Sequence, residues 1–262
     1  MVDRDVLRQA TVVAAVGGGF LVGVSGDYGN AAAGPSLVVP ANYAFGIWAP
    51  IYAGLFSHAI YQALPSRRRD PLLRRTGWAT ACAVGLSGFW VWTQDVPAVE
   101  LALIGATAAA AVAAYLRADP VGEAEVASAG DRWLVRVPLG LFGGWITVAT
   151  VAGGGEALIA SGIGAPWPGA EAWSTATLLA AGGAAAGVAW WRPVSRAYAA
   201  AVAWGLAGVA LRVLPQHPVP GAAALLAGVG VAVAGVAGAR MRRTSRGRIR
   251  RATGGGGGAR AA

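Results

Sequence analysis

The chain has 262 residues, of which 56% are hydrophobic and only 13% charged, and 40 are glycine. That composition excludes an ordinary soluble core and fits packed membrane helices. The net charge of +9 comes from arginines clustered between apolar stretches, which is the positive-inside pattern of a membrane protein rather than a nucleic-acid-binding surface.

Apolar runs long enough for the hydrocarbon thickness predict eight spans, at 8–25, 42–63, 76–94, 98–116, 134–152, 172–191, 196–214 and 220–239. The expected fold class is therefore an all-α, polytopic membrane helical bundle of about eight transmembrane helices. Residues 1–33 also have the outline of a signal peptide, with Arg4, Arg8 and the small residues Ala31, Ala32 and Ala33. Asp3 and Asp5 are poor in such a leader, so the segment is read as a retained helix.

The connection after the second span carries Arg67, Arg68, Arg69, Arg74 and Arg75, and the end of the chain is rich in arginine from Arg240 to Arg251. Both regions are expected on the cytoplasmic side. The loops on the other side, near 26–41, 95–97, 153–171 and 215–219, contain no arginine. The localisation expected is the inner (plasma) membrane, multi-pass, with both termini cytoplasmic. The basic tail is expected to attract anionic lipid headgroups, and no nucleic-acid partner is implied. Gly183 and Gly187, and Gly230, Ala234 and Gly238, have the spacing that lets helices approach closely in lipid. They pack either within one chain or between two copies, as in a homodimer.

The single cysteine, Cys82, rules out an internal disulfide. His58 and His217 belong to no cluster with metal-ligand spacing. His58 and Tyr61 are expected to make interhelical hydrogen bonds, and Arg136 to snorkel toward the interface.

Of eleven tryptophans, seven lie at or beyond span ends, as an interfacial belt requires: Trp78, Trp92, Trp133, Trp167, Trp173, Trp190 and Trp191. Trp48, Trp90, Trp145 and Trp204 lie within spans. Trp48 and Trp145 share a depth of roughly 10 Å below the outer boundary, with Trp90 somewhat above them. Helical spacing extends three faces. Phe45, Trp48 and Tyr52 align on the second span, Ser87, Trp90 and Gln94 on the third, and Phe142, Trp145 and Ala149 on the fifth. Rings gathered inside a membrane suit a flat hydrophobic ligand. Ordinary aromatic packing between helices is the competing explanation.

The run Pro40-Ala41-Asn42-Tyr43-Ala44-Phe45-Gly46-Ile47-Trp48-Ala49-Pro50-Ile51-Tyr52, then Tyr61-Gln62-Ala63-Leu64-Pro65, and Arg132 to Pro138 leading to Gly144-Trp145-Ile146-Thr147-Val148-Ala149-Thr150 resemble the tryptophan-rich sensory protein family. This is the TspO/MBR group, related to the translocator protein. The likeness is to its longer bacterial branch. It implies a five-helix module over 1–155, three additional helices over 172–239, and a basic, Gly-rich tail over 240–262 expected to be disordered. It also implies a ligand cavity below the loop between the first two helices. Porphyrins, and in relatives sterols and benzodiazepine-type molecules, are the ligands the resemblance implies, so porphyrin or haem is the expected ligand; no cofactor is assigned with certainty. By position, Trp48 and Tyr52 match the pocket aromatics of the second helix, and Trp145 and Ala149 the wall of the fifth. The family's third-helix asparagines are absent; Ser87 and Gln94 are the nearest polar substitutes.

The expected function is binding of a flat, porphyrin-like molecule for sensing, sequestration or transport. A membrane enzyme acting on porphyrin is a second class, disfavoured because no acid/base pair or nucleophile dyad is visible. A transporter of another small molecule is the third.

Overall fold

Each of the eight apolar runs contains a helix, and no strand occurs among the described residues. The computed structural model describes residues 3–26, 35–93, 95–118, 128–162, 169–192 and 194–254. The helices are α1 (Arg4–Val24), α2 (Trp48–Ala63), α3 (Pro71–Ser87), α4 (Pro97–Arg117), α5 (Ala129–Ala160), α6 (Ala170–Trp191), α7 (Arg196–Val213) and α8 (Pro218–Gly254). A 3₁₀ segment, Asn42–Ile47, leads into α2, and another, Trp90–Trp92, follows α3.

Local sequence explains several starts. Asp3 caps α1 through the amide of Asp5, and Asp70 caps α3 through Leu72 and Leu73, with Pro71 as the first helical residue. Ser195 caps α7 through Ala197. Ser128 and Asp131 form a reciprocal capping box at the start of α5. One turn of α5, Arg132–Arg136, is π-helical.

Five of these helices are long and apolar enough to cross a membrane: α1, α4, α5, α6 and the Pro218–Met241 part of α8. With 16 and 17 residues, α2 and α3 are shorter, and α7 carries Arg196 and Arg212 toward its two ends. The α8 helix continues through residue 254, into the segment expected to be a disordered tail.

The first five helices close a ring in the order α1, α2, α5, α4, α3, with α3 returning to α1. Beyond it, α7 packs along α5, α8 along α7, and α6 chiefly against α8. The α5–α7 seam is close: Gly144 abuts the Tyr198 carbonyl, and a Cβ at Gly205 would lie 2.7 Å from Val148. Glycine lets these backbones approach as they do. Gly182, rather than Gly183 or Gly187, meets the neighbouring helix, at Ala227 of α8; Cβ atoms added at Gly183 or Gly187 would meet nothing within 4 Å.

The start of α1 and the end of α2 are woven together. Arg8, 2% exposed, donates to the Gln62 side chain (3.3 Å), the Leu73 carbonyl (3.2 Å) and the Arg68 carbonyl (2.9 Å). Arg74 forks onto Asp5. His58 and Tyr61 make the expected interhelical bonds, both to α5: His58 Nδ1 to the Leu134 carbonyl (2.9 Å) and Tyr61 to Asp131 (3.0 Å). Arg136, expected to reach the interface, is instead buried.

Candidate functional site

Within the ring, two ring-bearing faces meet. Trp48 of α2 stands edge-on to Trp145 of α5, centroids 6.3 Å apart at 80°. Phe45 lies edge-on to Trp145 at 5.4 Å, and Phe142 lies 6.3 Å from Trp48. Tyr52 stacks on Trp48 at 5.3 Å and 26°. These are favourable ring geometries, worth about 0.5–1.5 kcal/mol per pair beyond area burial. Trp145 and Phe142 are buried, while Phe45, Trp48 and Tyr52 are partly covered. Ala149 is buried one turn beyond Trp145.

The cluster contains an electrostatic imbalance. The indole Nε1 atoms of Trp48 and Trp145 are both buried without a hydrogen-bond acceptor. An N–H hidden from water without a partner costs about 1–3 kcal/mol, so an acceptor delivered between these helices would be stabilised.

A model of the TSPO-like protein family matches residues 12–237. The chain belongs to that family. With its five long apolar helices, it is a membrane protein of the TspO group. The match runs from α1 into α8 and so includes the three helices beyond the five-helix ring. No curated protein and no solved structure matches this TspO-like chain.

The third-helix face differs from the one expected. Ser87, Trp90 and Gln94 require α-helix through residue 94 to share a side, whereas α3 ends at Ser87 and a 3₁₀ turn follows. Ser87 turns its hydroxyl back to the Val84 carbonyl at 2.9 Å. Trp90 instead donates to Glu100 Oε1 of α4 at 2.9 Å and sits near Gly153, two turns above Trp145. Gln94 lies outside the described residues.

Two rings of the cluster escaped the sequence reading. Phe20 of α1 lies 4.9 Å from Tyr52 and 5.3 Å from Phe56. The i, i+4 step from Tyr52 to Phe56 was a usable signal; nothing near Phe20 pointed to its partner. The belt tryptophans 78, 92, 133, 173, 190 and 191 are all exposed, and Trp167 lies outside the described residues.

Proposed function

We propose that this TspO-family protein binds a flat hydrophobic ligand of the porphyrin type, for sensing, sequestration or transport, between α2 and α5 at Phe45, Trp48, Tyr52, Phe142, Trp145 and Ala149. We include Ser87, Trp90 and Gln94 in the proposed site on their sequence pattern alone. The observation that carries this reading is the pair of facing indoles on different helices, each with a buried, unpartnered N–H. A planar ligand entering there exchanges ring–ring for ring–ligand contacts, which are of similar strength, and its acceptor atoms satisfy the two donors. Those donors offset the missing third-helix asparagines.

The accompanying topology is eight crossings in the inner membrane with both termini cytoplasmic. The ring over 1–155 forms one module, the helices over 172–239 a second, and the basic tail over 240–262 contacts anionic headgroups.

Titrating purified protein with protoporphyrin, haem and unrelated lipophiles, with tryptophan emission as readout, tests the binding reading. Saturable quenching by the planar tetrapyrroles alone supports it. Equal, non-saturating quenching by every lipophile refutes it.

A further inference from the structure

Residues 36–44 deliver Phe45 and Trp48 into the ring. Their chain is irregular up to the 3₁₀ segment, yet Ser36, Val38, Val39 and Ala44 are buried, at 2%, 5%, 1% and 0% exposure. Non-helical backbone at membrane depth persists only where neighbouring protein satisfies its polar groups. Here α7 does so. Arg212 Nε donates to the Val39 carbonyl at 2.9 Å, and its Nη2 to the Ser36 carbonyl. Trp204 Nε1 donates to the Ala44 carbonyl at 2.8 Å, and the Ala41 amide donates to the Gly208 carbonyl at 3.1 Å. Tyr43 adds an edge-on contact to Trp204 at 5.8 Å.

The seat itself is shaped for the segment. At Gly208 of α7 a Cβ would lie 2.8 Å from the Ala44 side chain and 3.1 Å from Pro40. At Gly155 of α5 it would lie 2.7 Å from Val38. The two helices thus leave a channel one backbone wide, and α7 supplies the donors along it.

We propose that Trp204 and Arg212 are positioning residues that hold segment 36–44 as a clasp across the outer end of the aromatic site, and that ligand exchange requires this clasp to open. The purpose of the clasp rests on the ligand reading above; its existence does not. It gives the helices beyond the five-helix ring a role in ligand access, although none of their side chains need touch the ligand.

The experiment uses the full chain carrying Cys82→Ala and Val39→Cys, with two readouts: maleimide labelling at position 39 without ligand, and stopped-flow exchange of protoporphyrin. Arg212→Leu removes the donors to Val39 and Ser36, and Trp204→Phe removes one donor while keeping a ring against Tyr43. Each is expected to speed labelling and both association and dissociation of protoporphyrin by about tenfold or more, with a smaller change in Kd. Arg212→Lys, which keeps a cationic donor, is expected to restore much of the protection. Thermal melts verify that each variant is folded. Unchanged labelling in both folded variants overturns the clasp, as does faster labelling with unchanged protoporphyrin exchange. Faster labelling in a protein that never binds protoporphyrin upholds the clasp contacts and overturns the ligand reading instead.

Discussion

Gly144 of α5 abuts the carbonyl oxygen of Tyr198 on α7 so closely that a methyl group there would overlap it. Trp145, part of the proposed ligand site, follows directly in sequence, so the helix that forms one wall of the aromatic cluster is braced from behind by α7. Gly144→Ala is expected to destabilise the folded protein by about 1–3 kcal/mol, the usual cost of overpacking a filled interior. Gly183→Ala, where a Cβ meets nothing within 4 Å, is expected to be neutral or mildly stabilising through helix propensity. Melting of both variants in one detergent makes the comparison; equal losses would contradict the close seam.

Near the start of the chain, Arg8 ties α1 to α2 and to the start of α3 through three acceptors. Arg8→Leu leaves those acceptors without this donor and is expected to cost on the order of 3 kcal/mol. Arg8→Lys should recover only part, because an ammonium cannot reproduce the guanidinium fork. Chemical denaturation of the three proteins would show that order; a lysine variant as stable as the parent would contradict it.

The Trp90–Glu100 bond between the end of the third span and α4 predicts a distinction between two substitutions. Glu100→Gln keeps an oxygen for the indole and should cost little. Glu100→Leu removes the acceptor and should cost roughly 1–3 kcal/mol while shifting Trp90 emission. Identical behaviour of the two would show that the hydrogen bond does not matter.

That the chain is all-helical, and where its helices fall among the described residues, was legible in the sequence because lipid demands long apolar runs. The meeting of Phe45, Trp48, Phe142 and Trp145 was legible too, since two helices with rings at one depth and regular spacing have few other ways to pack. The end of α3 was not. Periodicity continues through Trp90, but the helix ends at Ser87 and Trp90 turns to Glu100 on the next helix. Nor was the partnership of Arg212 visible: its acceptors are backbone carbonyls far back in the chain, and a carbonyl leaves no mark in a residue pattern. Gly183 and Gly187 misled for a related reason, because spacing identifies a smooth helix face but not what lies against it.

Topology is checked by cysteine labelling in the Cys82→Ala background. A cysteine at position 95 should react with an impermeant maleimide on intact cells, and one at position 69 only after the cells are opened. The reverse pattern would invert the orientation drawn from the arginines.

The central claim is that the Trp48–Trp145 pair is a ligand site rather than packing alone. It is tested most directly by titrating protoporphyrin into Trp145→Leu and Trp190→Leu, with binding read from the porphyrin's own absorbance. Loss of the Trp145 surface is expected to weaken binding by about 1 kcal/mol or more, roughly fivefold or greater. Trp190, exposed near the C-terminal end of α6, should be replaceable without effect. Equal affinity in both variants and the parent would contradict the account.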